Sequence, residues 1–295
     1  MEGALHLPNF LFLISYFLFT KLPAVNLLQL RVELNDLLWN FTDPPAFRNT
    51  LLDLLEKFAY TAYRSESKAR AVSTRPQLQV SLILLREMDL VLIPAIREQP
   101  QAALAICDLL WNDENMDVCL IASRMLGEIP IEHADLVLDR AGEWALAGVR
   151  HMTARTLLKN ASALIMRHDP EILLRKVRRW YVDPREEQNY LCLEGMAILV
   201  EDRSFENLPA IFTLLEALMG EATMETQNAL TELFLVLYER TPNETVYVIR
   251  QCLNDNPNVT AQRVIRRVIP TFDPKVQKSL QDALREAARN VKRKK

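Results

Sequence analysis

The chain has 295 residues, of which 49% are hydrophobic and 25% are charged, and its formal net charge is −3. This much apolar side chain, with only six glycines, excludes a disordered or collagen-like chain and disfavours a Gly-rich loop that cradles phosphate. The charge is uneven: residues 1–147 hold 12 basic and 19 acidic residues, whereas residues 148–295 hold 23 and 19. The C-terminal half is therefore the better candidate for contact with an anionic partner.

The first segment is strongly apolar. The run Phe10–Phe19 is shorter than the ~20 residues that span a bilayer, and no Lys or Arg precedes it as in a signal peptide. We predict an N-terminal apolar helix within residues 1–24 that caps the helices after it. The alternatives are a membrane or secretory segment, and an unstructured start. A secreted form would be compatible with the glycosylation sequons at Asn40, Asn160, Asn243 and Asn258, although the predicted position of Asn160 is mid-helix.

A repeated pentapeptide sets the phase of the chain. Asp36–Asn40 recurs letter for letter as Asp108–Asn112, 72 residues later. Polar junctions follow at steps of 35, 35, 37 and 35 residues, at Asp113, Gly148, Asp183, Gly220 and Asp255. A period of this size is typical of helical arrays, in which each two-helix unit buries its apolar face against its neighbours. The first pentapeptide would then lie two periods upstream, with a weaker junction at Arg75–Pro76.

The apolar periodicity predicts helices in chain order, with breaks at the polar junctions. We predict a helix over 76–98 and a closing helix from Pro274 to about Asn290. Arg64–Arg75 is the longest predicted loop, and residues 291–295 form a basic tail. The predicted helix pairs are 25–40 with 44–63, 101–112 with 115–128, 132–147 with 150–168, 170–182 with 185–201, 205–219 with 223–240, and 243–254 with 258–269.

In period, helix pairing and turn chemistry, residues 25–290 resemble the HEAT-repeat superfamily. The resemblance implies an all-α, right-handed superhelix of about six or seven helical hairpins, whose second helices line a concave groove. A polar column would follow that groove: Arg124, Lys159, Glu194, Thr231 and Arg266. The main hypothesis is a non-enzymatic protein that binds a macromolecule, protein or nucleic acid, at a ridge formed by Arg124, Arg155, Lys159, Arg263 and Arg266. A second basic cluster comprises Arg175, Arg178 and Arg179.

The chain is also similar, more distantly, to the alkylpurine DNA glycosylases built from HEAT-like repeats. That resemblance implies DNA binding and a catalytic carboxylate at Asp139, with Arg175 and Trp180 nearby. A carboxylate can stabilise positive charge that develops on the sugar, and aromatics can stack on the damaged nucleotide. The aromatic of the family pattern is replaced here by Asp135, so this is the alternative hypothesis.

No other motif for chemistry stands out. The histidines are scattered, and no C-x-x-C pair is present. We therefore predict no metal and no cofactor. Cys107, Cys119 and Cys192 fall in apolar runs and are predicted to be buried, reduced core residues of a cytoplasmic protein. The four tryptophans, Trp39, Trp111, Trp144 and Trp180, are predicted to pack at junctions.

Overall fold

The computed structural model describes residues 27–58, 80–147, 153–183, 185–255 and 259–294, and within these ranges it contains helices and no strand. The all-α prediction is confirmed, whereas the right-handed superhelix stays a prediction. Two 3-10 turns are also present, at Ile131–His133 and at Ile269–Thr271. The described α-helices are α1 (Leu27–Trp39), α2 (Pro44–Phe58), α3 (Leu82–Glu98), α4 (Pro100–Trp111), α5 (Met116–Leu126), α6 (Ala134–Leu146), α7 (Ala154–Ala161), α8 (Ala163–His168), α9 (Pro170–Val182), α10 (Glu186–Glu201), α11 (Leu208–Gly220), α12 (Gln227–Arg240), α13 (Pro242–Asp255), α14 (Val259–Val268) and α15 (Pro274–Lys294).

Helix starts follow the capping chemistry of the sequence. The Asp169 carboxylate accepts from the Glu171 amide at 3.1 Å, and the Asn115 side chain accepts from the Asp117 amide at 2.9 Å. Such caps satisfy first-turn N–H groups that have no partner inside the helix. A proline in the first turn has no N–H to satisfy, which suits it to this position. The predicted starts at Pro44, Pro170 and Pro274 are confirmed, and the helix predicted over 243–254 starts one residue earlier, at Pro242.

The helices stack in two rows. Row B consists of α1, α3, α5, α7, α10, α12 and α14, each of which packs on the next. Row A consists of α2, α4, α6, α9, α11, α13 and α15. Most successive helices of row A pack directly on each other. Helices α4 and α6 are joined by the stacked indoles of Trp111 and Trp144, whose ring centroids lie 4.6 Å apart. Helices of the two rows are connected through hairpins such as α4–α5, α9–α10 and α12–α13.

One cluster of buried apolar side chains lies between the rows and extends from Leu30 on α1 to Ala287 on α15. It includes large side chains such as Phe47 and Phe234, and burial of this kind is the main favourable term in folding. The predicted burial of Cys107, Cys119 and Cys192 is confirmed, Cys252 is also buried, and none of the four forms a disulfide. Burial raises the pKa of the Cys192 thiol to about 12, so this thiol is not a reactive thiolate at neutral pH.

The repeated pentapeptide does not mark equivalent positions of the array, which corrects the sequence analysis. Its first copy ends α1 in row B, and its second copy ends α4 in row A. The shared element is local: the side-chain amides of Asn40 and Asn112 donate to the carbonyls of Asp36 and Asp108, four residues earlier. The pentapeptide therefore encodes a helix ending rather than a phase of two periods.

The predicted helix 150–168 is broken at Ser162, between α7 and α8. Ser162 is fully buried, and its hydroxyl donates to the Leu158 carbonyl at 2.7 Å. The end of α5 packs into this break, where the Gly127 carbonyl accepts from the Leu164 amide at 3.2 Å. A Cβ at Gly127 would overlap the backbone carbonyl oxygen of Asn160. The break and the glycine therefore bring two successive row-B helices into backbone contact.

Several predictions concern residues outside the described ranges. They are the N-terminal helix within 1–24, the Arg64–Arg75 loop, the junction at Arg75–Pro76 and the junction near Gly148. The closing helix extends beyond its predicted end, from Pro274 to Lys294, so that most of the predicted tail 291–295 is helical.

Candidate interaction surface

The structure places the predicted column along row B. Arg124 lies on α5, Lys159 on α7, Glu194 on α10, Thr231 on α12 and Arg266 on α14. These helices pack on one another in that order, so the column occupies successive layers of the row.

The middle of this surface is a charge network centred on Arg155. The Arg155 guanidinium donates to Glu232 at 2.8 Å, and its Nε lies 3.8 Å from Glu194 and 3.4 Å from Glu201. The Lys159 ammonium also pairs with Glu201, at 2.8 Å. Two cations therefore meet three carboxylates, which leaves the network with a negative balance instead of the positive ridge that the sequence predicts.

Glu194 is the most buried acid of the network. Its side chain is 9% exposed, and desolvation raises its pKa while the charge of Arg155 and a hydrogen bond with Tyr190 act against that shift. The same burial, together with Glu194, raises the pKa of the Tyr190 phenol to about 12. Both groups are held in a partly dry environment in which an added charge would be costly.

Glu201 and Glu232 were not predicted as members of this surface. Glu201 lies seven residues after Glu194, two helical turns along the same face of α10. Glu232 directly follows Thr231, the predicted member of the column on α12. An alignment of repeats by single positions identifies Glu194 and the cations, but it does not identify the two acids that project between them from neighbouring turns.

The N-terminal part of the surface is also neutralised. Arg124 pairs with Asp89 on α3, across one hairpin step. Glu128, which follows α5, is approached by Arg97 at 3.6 Å and by Arg167 at 2.5 Å. In this region the cations link α3 and α8 to α5 and to Glu128 beyond its end, and they leave little unpaired positive charge for a ligand.

The C-terminal end of the row differs. Arg263 lies 3.2 Å from the Met224 sulfur, and Arg267 donates to the Asn228 side chain at 3.0 Å. Arg266 is exposed, and within the described residues no carboxylate is in ion-pair distance of these three arginines. Positive charge is therefore retained on α14.

The second basic cluster lies on α9, in row A, and is separate from the row-B surface. Arg175 lies 4.0 Å from Asp169, Arg179 pairs with Asp135 at 3.1 Å, and Arg178 is exposed. These residues connect α9 to its own N-cap and to α6.

Asp139 also lies in row A, on α6, where it pairs with the buried ammonium of Lys176. Lys176 in turn lies 5.9 Å from the centroid of the Trp180 ring. Trp180 is only 5% exposed, so its faces are packed in the core and cannot stack on a nucleotide. The structure brings Asp139 and Trp180 together through the buried Lys176, and the Asp139 side chain is 56% exposed.

The predicted packing of the tryptophans holds for three of them and fails for one. Trp144 and Trp180 are buried, and Trp111 is half-buried against Trp144. Trp39 is 85% exposed, which contradicts the prediction for that residue. Trp39 lies in row B, and among the described residues no second indole stacks on it as Trp144 stacks on Trp111.

Comparison with known proteins finds no matching family model, no matching curated protein and no matching solved structure. Across the described ranges, no cluster of three or more His, Cys, Asp or Glu side chains is placed to bind a metal ion. None of the described helices combines the length and the apolar character needed to cross a bilayer.

Proposed function

We propose that this chain is a HEAT-like repeat protein that binds a segment of another protein along row B, without catalysing a reaction. In this proposal the two rows curve into a right-handed superhelix with row B on its concave side, because arrays of stacked hairpins generate extended binding surfaces in this way. Its four buried cysteines form no disulfide, which suits the reducing cytoplasm that we propose as its location.

The charge balance around Arg155 is the observation that carries the choice of a protein partner. A phosphate-binding groove gains affinity from cations that are free to replace counterions. Here Arg155 and Lys159 already face Glu194, Glu201 and Glu232. A polypeptide can match such a mixed surface, whereas a phosphate backbone would meet the excess of carboxylates.

The test is affinity capture with two charge-reversed variants, followed by quantitative mass spectrometry. Lys159→Glu alters row B at a side chain that is 62% exposed, and Arg178→Glu, an exposed position of row A, is the matched control. Partner proteins should be lost with Lys159→Glu and retained with Arg178→Glu. Equal retention by both variants would contradict the use of row B.

The second candidate is a DNA-binding relative of the alkylpurine glycosylases, and the unneutralised arginines of α14 favour it. Fluorescence anisotropy with a 20-base-pair duplex at low and high salt tests this candidate. Arg263→Gln with Arg266→Gln should weaken binding and reduce its salt dependence if DNA is the partner. Release of alkylated bases that is abolished by Asp139→Asn would establish the enzymatic form, and absence of DNA binding would leave the protein partner.

A further inference from the structure

A cavity of about 470 Å³ opens beside row B, where the ends of α5 and α10 meet the short helix α8. This volume lies within the range of ~300–1,000 Å³ that is typical of ligand pockets. Its apolar lining comes from Ala163, Met166 and Ile198. Its charged lining comes from Glu128, Lys159, Arg167, Glu201 and Asp202.

The cavity is tied to the break at Ser162. Because the chain ends α7 at Ala161 and starts α8 at Ala163, both Ala163 and Met166 line the space between α5 and α10. The hydrogen bond from the Leu164 amide to the Gly127 carbonyl fixes α8 against the end of α5. One wall of the cavity is therefore fixed by a backbone hydrogen bond, and long side chains such as Lys159 and Arg167 complete its lining.

The charges of the cavity favour a cation. Three carboxylates and two cations line it. Glu128 is paired with Arg167 and Arg97, and Glu201 is paired with Lys159 and Arg155. Asp202 is the third carboxylate, and within the described residues it has no ion-pair partner, so it is the group that can attract a further cation. Glu128 follows the C-terminal end of α5, and Glu201 ends α10. The C-terminal end of α5 carries partial negative charge, which adds to the attraction for a positive group, whereas the Arg240 guanidinium offsets the charge at the end of α10 by donating to the Val200 carbonyl. An anionic ligand would have to displace Glu128 or Glu201 from its partner.

We propose that this cavity receives a Lys or Arg side chain, together with an adjacent apolar side chain, from the protein segment that binds row B. The cation would lie near Asp202 and Glu201, while the apolar side chain would cover Met166 and Ile198. This inference rests on the proposed function and specifies the partner's chemistry at one position.

The experiment monitors Met166 directly. The protein is labelled with ¹³C at the methionine methyl groups, and the Met166 signal is assigned as the one that disappears in Met166→Leu. The probes are the peptides acetyl-Gly-Leu-Arg-Leu-Gly-amide and acetyl-Gly-Leu-Lys-Leu-Gly-amide, with the Glu-centred peptide as the control probe. The cationic peptides should shift the Met166 signal saturably, and the Glu peptide should leave it in place.

Two variants locate the effect. Ala163→Leu fills the apolar part of the cavity and should abolish the shift of the Met166 signal, whereas Ala105→Leu, at an exposed position of row A, should leave it intact. Asp202→Asn removes one charge but retains an oxygen that can accept from the Ser204 amide and hydroxyl. It should reduce the affinity for the Arg peptide about threefold. This conservative variant provides the decision if Ala163→Leu does not fold.

The inference is overturned if no cationic peptide shifts the Met166 signal at millimolar concentration, if the Glu peptide shifts it equally, or if neither Ala163→Leu nor Asp202→Asn changes the response. Failure of this inference can be distinguished from failure of the proposed function. If Lys159→Glu reduces partner capture and Ala163→Leu does not, row B remains the binding surface and only the role of the cavity is excluded.

Discussion

Replacement of Gly127 by alanine tests whether the backbone contact between α5 and the α7–α8 break holds the row together. Gly127 has φ of −74°, an ordinary helical value that any residue adopts. The reason for glycine is therefore space: an added Cβ would overlap the Asn160 carbonyl oxygen and lie 2.9 Å from the carbonyl carbon. Both atoms are backbone, so relief requires the helices to separate.

The expected loss in the free energy of unfolding is the cost of separating these helices. Overpacking of a filled site costs about 1–3 kcal/mol. Loss of the bond from Leu164 to Gly127, and of the 2.9 Å bond from Asn160 to Ser123, adds about 1–3 kcal/mol, because buried polar groups are left unpaired. The lower entropy of the unfolded alanine chain offsets about 0.4–1 kcal/mol. We expect Gly127→Ala to lower the free energy of unfolding by about 2–4 kcal/mol.

Two further glycines provide matched controls for the same substitution, measured by urea denaturation. A Cβ at Gly142 would meet Leu191 at 3.4 Å and Trp180 at 3.5 Å, which are ordinary contacts, so Gly142→Ala should be neutral or stabilise by up to about 1 kcal/mol. A Cβ at Gly195 would lie 2.5 Å from a methyl of Val177, so its cost should be intermediate. If Gly127→Ala were as stable as Gly142→Ala, the reasoning about the backbone contact would be refuted.

Three further predictions concern buried polar groups. Arg240→Gln removes the guanidinium donors that hold the carbonyls at the end of α10, so it should lower the free energy of unfolding by about 2–4 kcal/mol in urea denaturation. Amide hydrogen exchange should rise first in residues 200–206. The control Arg203→Gln, at an exposed position, should change little. Because burial raises the Glu194 pKa, the folded state binds the proton more tightly than the unfolded chain, and stability falls as the pH rises from the ordinary value of 4.5 through the folded-state pKa. Glu194→Gln should flatten that fall in denaturation curves recorded between about pH 4.5 and 8, and an unchanged slope would exclude Glu194 as its source. Asp139→Asn leaves the Lys176 ammonium buried beside a neutral partner and should destabilise the protein by about 1–3 kcal/mol. Lys176→Met leaves a half-exposed carboxylate and should cost less than about 1 kcal/mol. The reverse order of melting temperatures would contradict the conclusion that Lys176 is the buried member of the pair.

The sequence predicts helix starts well because their causes are local. A proline at Pro170 preceded by an acceptor at Asp169 acts within one turn, and the structure shows that start. The break at Ser162 could not be predicted in this way. Its context is tertiary, since the carbonyl that receives the Leu164 amide belongs to Gly127, on another helix.

The pentapeptide shows a limit of repeat reasoning. Identical residues at Asp36–Asn40 and Asp108–Asn112 form the same hydrogen bond at a helix end, but they lie in different rows. The identical residues determine how the helix ends locally. The row in which each copy lies depends instead on how many helices separate the two copies. The candidate surface was predicted in part for a similar reason. The cations and Glu194 were identified by position, but Glu201 and Glu232 are placed beside Arg155 by the packing of neighbouring helices.

The single guanidinium of Arg240 has a consequence for chain connectivity. It donates to the carbonyls of Val200 and Asp202 at 2.8 and 2.7 Å, before the turn, and to that of Phe205, after it. Both sides of the peptide bond between Arg203 and Ser204 are thus tethered to α12 by one side chain. A protease that cut there would yield a nicked protein whose two fragments remain associated, and the same bond is a suitable place to open new termini in a circular permutant.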